Sequence, residues 1–270
     1  MARGSVDPSL ILQLTVMSTI SYRGRLRRAV TLLLALILVG ALPAVGAAAS
    51  LEPVELRVDV LRLSPAGAAR AAAGISAASS PRSCNDKAYA LEGGRWRQTY
   101  KWSFRIGTTP SGLNRAAVEG AIKKGINNIV KANNDCGRAG RVKATASYQG
   151  TSTRKPSCAT RDGYNVIGFR KLPLGTAARA CWWYSAGRIV EADIQINNRL
   201  RWATSLAGCS NQLMLEAVMT HEAGHAFGLG HVGEGQHGRL TMSTYIDGTC
   251  QNNESTLGLG DMLGLEKLYP

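Results

Sequence analysis

His221-Glu222-Ala223-Gly224-His225-Ala226-Phe227-Gly228-Leu229-Gly230-His231 is the stretch on which the reading of this chain turns. Residues four apart on a helix share a face, so His221 and His225 present two imidazoles to one point. Met214, Ala217 and Val218 continue that face backward and are suited to burial against a core. Glu222 stands beside the first imidazole, placed to act on water without being a ligand itself. Gly228 ends the helix, because glycine takes positive φ at little cost, and the chain can then return His231 as a third nitrogen. Three protein nitrogens with one position left open describe a catalytic zinc site, whereas a structural site is closed by protein ligands. The chain has 4 histidines and three of them fall within this stretch, so an accident of composition is a poor account of it.

Working outward, the apolar spacing predicts a helix from Asn211 to about Phe227 and a short last helix over Gly260–Tyr269. Upstream, Val118, Ile122, Ile126, Ile129 and Val130 recur at helical spacing, with Glu119 four residues before Lys123, and predict an amphipathic helix from Asn114 to about Ala132. Thr99–Ile106 reads as a strand. Val142, Ala144, Ala146 and Tyr148 alternate, as do Val190, Ala192, Ile194 and Ile196 against Glu191, Asp193 and Gln195, and both runs predict half-exposed strands. Tyr164–Leu172 and Cys181–Ser185 are weaker strand candidates. Trp182-Trp183-Tyr184 reads as core rather than cleft lining. No internal repeat is found, and one α+β domain over 84–270 is the economical arrangement.

The beginning of the chain reads as an address. Arg23, Arg25, Arg27 and Arg28 precede an uncharged stretch, Ala29 to Ala49, that closes on Gly46-Ala47-Ala48-Ala49. That is the pattern of a secretory signal peptide over 1–49, with Met17 a candidate start and cleavage expected after Ala48 or Ala49. Uncleaved, the same stretch would be a membrane anchor. Val54–Val60 alternates like a short strand, and 66–80, rich in Ala, Ser and Gly, reads as a flexible linker. Residues 50–83 are too few to fold alone and read as a short pro-segment or an Ala-rich linker.

The 6 cysteines, Cys84, Cys136, Cys158, Cys181, Cys209 and Cys250, all lie beyond the signal and include no CxxC pair. They point to disulfides and an oxidising compartment, not to a zinc ribbon. Of the many possible connectivities, the sequential one (84–136, 158–181, 209–250) is adopted as the expectation. Lys plus Arg number 32 against 18 Asp plus Glu, a formal +14, yet no run of five basic residues occurs. Pairs such as Lys123-Lys124, Arg154-Lys155 and Arg170-Lys171 describe a scattered solvated surface, so no specific nucleic-acid partner is expected. An apolar content of 45% and a mean hydropathy of −0.07 exclude a disordered chain.

The segment 221–231 resembles the zinc signature of the metzincin metalloproteases. In that family a methionine turn follows the third histidine and supports the site from beneath, and Met242 in Leu240-Thr241-Met242-Ser243-Thr244-Tyr245 matches it. Leu259–Tyr269 resembles the last helix of the matrixin branch, and Glu191–Asn197 is similar to the edge strand along which that family lays out substrate. The resemblance implies a twisted, mostly parallel sheet with an antiparallel edge strand, a backing helix, an active-site helix, and a small C-terminal subdomain with Met-turn and final helix. The chain departs from the matrixin pattern at Val232 and Ser243, where Ser and Tyr are usual. Tyr245 stands one position too late for a zinc-reaching tyrosine, and Gly260 precedes Asp261 where a second carboxylate is common. Only His237 remains for a second, structural zinc, which is therefore not expected. Pro81–Asp86 is similar to the family's inhibitory thiol segment, but the spacing differs, and using Cys84 that way would leave an odd cysteine.

These residues together lead to the expectation of a secreted, monomeric zinc endopeptidase acting on polypeptides, with His221, His225 and His231 holding one Zn²⁺. Glu222 would be general base toward a zinc-activated water, and Met242 the floor of the site. Calcium is left open, with no ligand pattern to support it. The alternative is a silent or polyanion-binding secreted protein that keeps the metalloprotease fold, against which the intact Glu222 stands.

Overall fold

The computed structural model describes residues 53–65, 84–246 and 248–270. The signal segment expected over 1–49 and the linker expected over 66–80 lie outside the described residues. In chain order the elements begin with β1 (Glu55–Leu63), β2 (Ala90–Leu91), β3 (Tyr100–Arg105) and α1 (Arg115–Val130). Then come β4 (Ala146–Ser152), β5 (Asn165–Arg170), β6 (Thr176–Ser185) and β7 (Arg188–Asn197). Two short strands, β8 (Trp202–Ala203) and β9 (Leu213–Met214), lead into α2 (Leu215–Ala226). The C-terminal part holds β10 (Leu229–Gly230), α3 (Glu234–His237), β11 (Tyr245–Ile246), a 3₁₀ turn at Asn253–Ser255 and α4 (Leu259–Leu268).

Among the described residues, 7 strands form one sheet in the order β11-β1-β6-β7-β5-β3-β4. β4, β3, β5 and β7 run parallel, β6 runs antiparallel to both β7 and β1, and β1 is parallel to β11. The expected class, α+β with a mostly parallel sheet, is the one observed, but the antiparallel strand expected at the edge is β6, which lies inside the sheet with β1 beyond it. Side-chain alternation explains how the layers close. On β3, Tyr100, Trp102 and Phe104 point into the core while Lys101 is exposed. Asn114 caps α1 by accepting from the Ala117 N–H at 3.1 Å, and Val118, Ile122, Ile126 and Ile129 form its buried stripe. α1 packs against α2 so closely that a Cβ on Gly125 would lie 2.7–2.8 Å from Met219 and Thr220.

Several expectations shift in the structure. The strand expected over 142–148 is at Ala146–Ser152. The helix expected from Asn211 starts at Leu215, because Asn211 takes φ +53° and Leu213–Met214 pair with Trp202–Ala203. Glu191–Asn197 is not an edge: β7 lies between β6 and β5, and β6 carries β1 on its other side. Nor is β7 half-exposed. Glu191, Asp193 and Gln195 face away from α2, yet they are buried under the segment 153–163.

That segment is pinned by backbone donors. Asp193 accepts from the N–H groups of Ser157 and Val166, both at 2.6 Å, and Glu191 accepts from those of Asp162 and Gly163. Gln195 donates to the Pro156 carbonyl at 2.8 Å. Cys158–Cys181 ties the same segment to β6, and Cys84–Cys136 and Cys209–Cys250 complete the sequential set expected from sequence.

Gly125→Ala is expected to force the two helices apart and cost about 1–3 kcal/mol, seen as a Tm lowered by several degrees in a thermal melt. Burial pushes the Asp193 carboxyl up to about 7 despite its two N–H donors. A carboxyl raised by folding stabilises most below its unfolded value near 3.8 and loses that contribution as pH rises through about 7. Asp193→Asn should therefore flatten the fall in Tm between pH 4 and pH 7, measured beside the parent protein.

Candidate metal centre

Every residue of α2 except Glu216 is buried, so this helix lies within the core, between the sheet and α1. His221 and His225, one turn apart, turn the same way, and their Nε2 atoms are 2.9 Å apart. Phe227 closes the helix by donating to Ala223 and Gly224. Gly228 then takes φ +94°, a conformation glycine adopts freely, and a Cβ there would collide with the Gly94 carbonyl. This turn sends the chain through β10, paired with β2, and returns His231, whose Nε2 is 3.1 Å from the Nε2 of each of the other two.

Two further contacts set the tautomers. His221 Nδ1 is 2.7 Å from the Thr241 carbonyl, and His225 Nδ1 is 2.9 Å from the Leu229 carbonyl. A carbonyl only accepts, so both protons reside on Nδ1 and both Nε2 atoms carry lone pairs. The 2.9 Å approach of the His221 and His225 Nε2 atoms is therefore not hydrogen bonding. Burial and the neighbouring His231 pull His221 down to about 3, burial pulls His225 well below the usual range, and burial also lowers His231. All three rings are neutral at neutral pH, the state in which imidazole binds a metal. Trp182 of β6 stacks on the His225 ring at 5.9 Å with an interplanar angle of 4°.

Two bonds of about 2.05 Å at a tetrahedral angle set their donor atoms about 3.3 Å apart. The observed Nε2 separations of 2.9–3.1 Å are close to that, and all three donors are neutral nitrogens. The residues present thus fit a tetrahedral Zn²⁺ with one position left over. Among the described residues this trio is the one His/Cys/Asp/Glu group spaced to hold a metal. Glu222 lies on the same helix, wholly buried, with neither carboxylate oxygen in a well-formed hydrogen bond. Burial first, and then the Asp59 carboxylate, push Glu222 well above the usual carboxylate range; the backbone N–H groups of Leu61 and Ala180 counter this only in part.

Met242 is buried below, its Sδ packed where a Gly224 Cβ would otherwise be. Val232 donates to the Met242 carbonyl at 2.9 Å, which holds the third histidine's strand against this turn. Asp261 of α4 supplies the lock that sequence reasoning missed. Its carboxylate accepts from the N–H groups of Thr241 at 2.9 Å, Met242 at 3.2 Å and Gly258 at 2.9 Å. Thr241 in turn orients His221. The matrixin resemblance singles out Asp261 as well, but for a different role. His237 lies apart from the trio, 2.7 Å from Asp86.

Asp59 also escapes a reading of the sequence alone. Its carboxylate is 3.3 Å from His225 Nδ1 and 3.8 Å from His231 Nδ1. The only signal is its alternation with Arg57 and Leu61, which sets these three side chains on one face of β1.

Residues 173–270 match the sequence model of the matrixin peptidase family. The resemblance is borne out over that third of the chain, which carries the trio, Met242 and α4, and it supports a metalloprotease in general. No curated protein sequence matches the chain.

Asp261→Asn replaces one acceptor oxygen with a donor facing backbone N–H groups. Metal affinity should fall by about tenfold, as for other outer-shell partners, with the overall fold kept; competition with a chromogenic chelator measures it.

Proposed function

We propose that this chain is a secreted zinc endopeptidase with the catalytic unit in 84–270, and the observation that carries this reading is the convergence of three neutral Nε2 atoms beside the buried Glu222 carboxylate. His221, His225 and His231 would hold the ion through Nε2. Bound there, Zn²⁺ supplies Lewis acidity, polarising a carbonyl oxygen and making water nucleophilic near neutral pH.

The remaining work belongs to this chain's own residues. Glu222 takes the proton of the attacking water on one carboxylate oxygen and gives it to the nitrogen of the departing strand. Its buried setting raises its pKa above the usual carboxylate range, which favours holding the proton between the two transfers. Thr241 and Leu229 keep His221 and His225 in one tautomer through their carbonyls, and Met242 and Trp182 fix the trio from beneath and from the side. β6 already holds one extended segment, β1, in antiparallel pairing, and that manner of holding a chain supports a polypeptide substrate. Three disulfides and the signal pattern over 23–49 support release into an oxidising compartment.

Glu222→Gln should keep one zinc per chain and lose about 10²–10⁴-fold in turnover of an unfolded protein. His225→Ala should lose the metal as well. Elemental analysis with a cleavage assay separates the two, and a Glu222→Gln protein that cleaves at the parent rate would end this reading.

A further inference from the structure

The face of the sheet turned away from the histidine trio carries a pocket of about 630 Å³. Alternation along β6 sends Ala178, Ala180 and Trp182 into the core and Arg179 outward, opposite Gln195 of β7. Arg170, the last residue of β5, joins Arg179 and Gln195 on the pocket floor, and the segment 153–163 supplies the wall. In the sequence these cations belong to separate stretches, Arg154-Lys155, Arg170 and Arg179. The fold gathers them round one space.

The pocket is pre-formed. Cys158–Cys181 fastens its wall to β6, two residues from Arg179. Arg105 of β3 donates to the Thr153 carbonyl at 2.7 Å, and Gln195 donates to the Pro156 carbonyl at 2.8 Å. With its other end, Gln195 Oε1 accepts from Arg179 Nε at 2.8 Å. That bond orients the guanidinium and leaves Nη1 and Nη2 without a protein partner among the described residues. A guanidinium held in this way keeps free the fork that grips an oxyanion through paired hydrogen bonds.

The charges round the pocket do not balance. The acids nearby are already engaged. Asp162 stands 3.5 Å from Arg154 and accepts from the Tyr164 N–H at 3.0 Å. Glu191 lies 3.9 Å from Arg161, and Asp193 accepts from the N–H groups of Ser157 and Val166. Lys155, Arg170 and Arg179 are left with no carboxylate partner among the described residues. Burial, and after it the Arg170 charge, pull Arg179 below the ordinary guanidinium value. Gathering unpaired cations in a half-enclosed space costs the fold free energy, and an anion between them would reverse the sign of the interaction. Three such cations call for more than one negative charge, which favours a phosphate or sulfate group over a carboxylate. The volume is that of a small-molecule site, so it admits such a group with a further moiety attached.

We infer that this pocket binds a tetrahedral dianion, a phosphate or sulfate group free or as a monoester, between Arg170 and Arg179 with Lys155 at the rim. The site lies across the sheet from the trio and does not rest on the peptidase reading. An anion there ties β5, β6 and the segment over them together.

Isothermal titration calorimetry on the zinc-loaded full chain tests this, with sodium sulfate, inorganic phosphate and glucose 6-phosphate each set against sodium chloride of equal ionic strength. Saturable binding of a single anion per chain is expected, with a raised Tm. Tighter binding of the monoester supports the site as one for an esterified group, and equal or weaker binding supports it as one for the free ion. Arg170→Gln and Arg179→Gln should each weaken binding about 10- to 100-fold. Their Tm in chloride should not fall, because a repulsion is removed. Lys131→Gln, at the end of α1, should bind as the parent does. Absence of saturable binding, or binding unchanged in both arginine variants, would overturn the inference. So would binding that survives both arginine variants but is lost in His225→Ala, which would put the anion at the metal centre.

Discussion

Three imidazole nitrogens converge on one point, two of them with lone pairs that repel each other, and the structure depends on what holds them there. Separations of 2.9–3.1 Å persist because the His221 and His225 rings are fixed from their far sides and because their helix is buried. The carbonyls of Thr241 and Leu229 commit the Nδ1 protons of His221 and His225. That commitment removes the hydrogen bond that these two rings could otherwise share. The result is a set of donors suited to a cation.

The rest of the fold can be read as the support of that trio. α2 is buried on nearly all sides, so its histidines cannot swing out to solvent. The Gly228 turn fixes where the chain leaves the helix, and β10 and β2 fix where His231 returns. Asp261 gathers three backbone N–H groups and so ties the last helix to the turn that orients His221. Farther off, Asp193, Glu191 and Gln195 hold the 153–163 segment on the outer face of the sheet by hydrogen bonds to its backbone. The sheet beneath the site is thereby covered on both faces.

Much of this is legible in the residues because it is local. Helical spacing brings His221 and His225 together without knowledge of anything else, and a glycine three residues later announces the turn that returns His231. The α1 stripe and the alternation on β3 are local in the same sense. The features hidden from a sequence reading depend on residues distant in the chain. Glu191, Asp193 and Gln195 read as a solvated strand face because their partners lie in residues 156–166, more than twenty positions away. Asn211–Met214 read as helix because the pairing that extends them comes from Trp202–Ala203. The alternation at 54–60 is visible, but not the partner strands on either side, nor that Asp59 lies against the histidines. Asp59 is therefore, in the sequence, one more acidic residue in a short strand.

Everything above turns on three histidine nitrogens holding a zinc ion with one position left for chemistry. Zinc-edge X-ray absorption on the purified, zinc-loaded protein addresses this directly. Four light neighbours near about 2.0 Å are expected, three of them with the multiple-scattering pattern of imidazole, with one imidazole lost in His231→Ala. Sulfur in the coordination shell, a six-oxygen shell, or a spectrum unchanged by His231→Ala would contradict it.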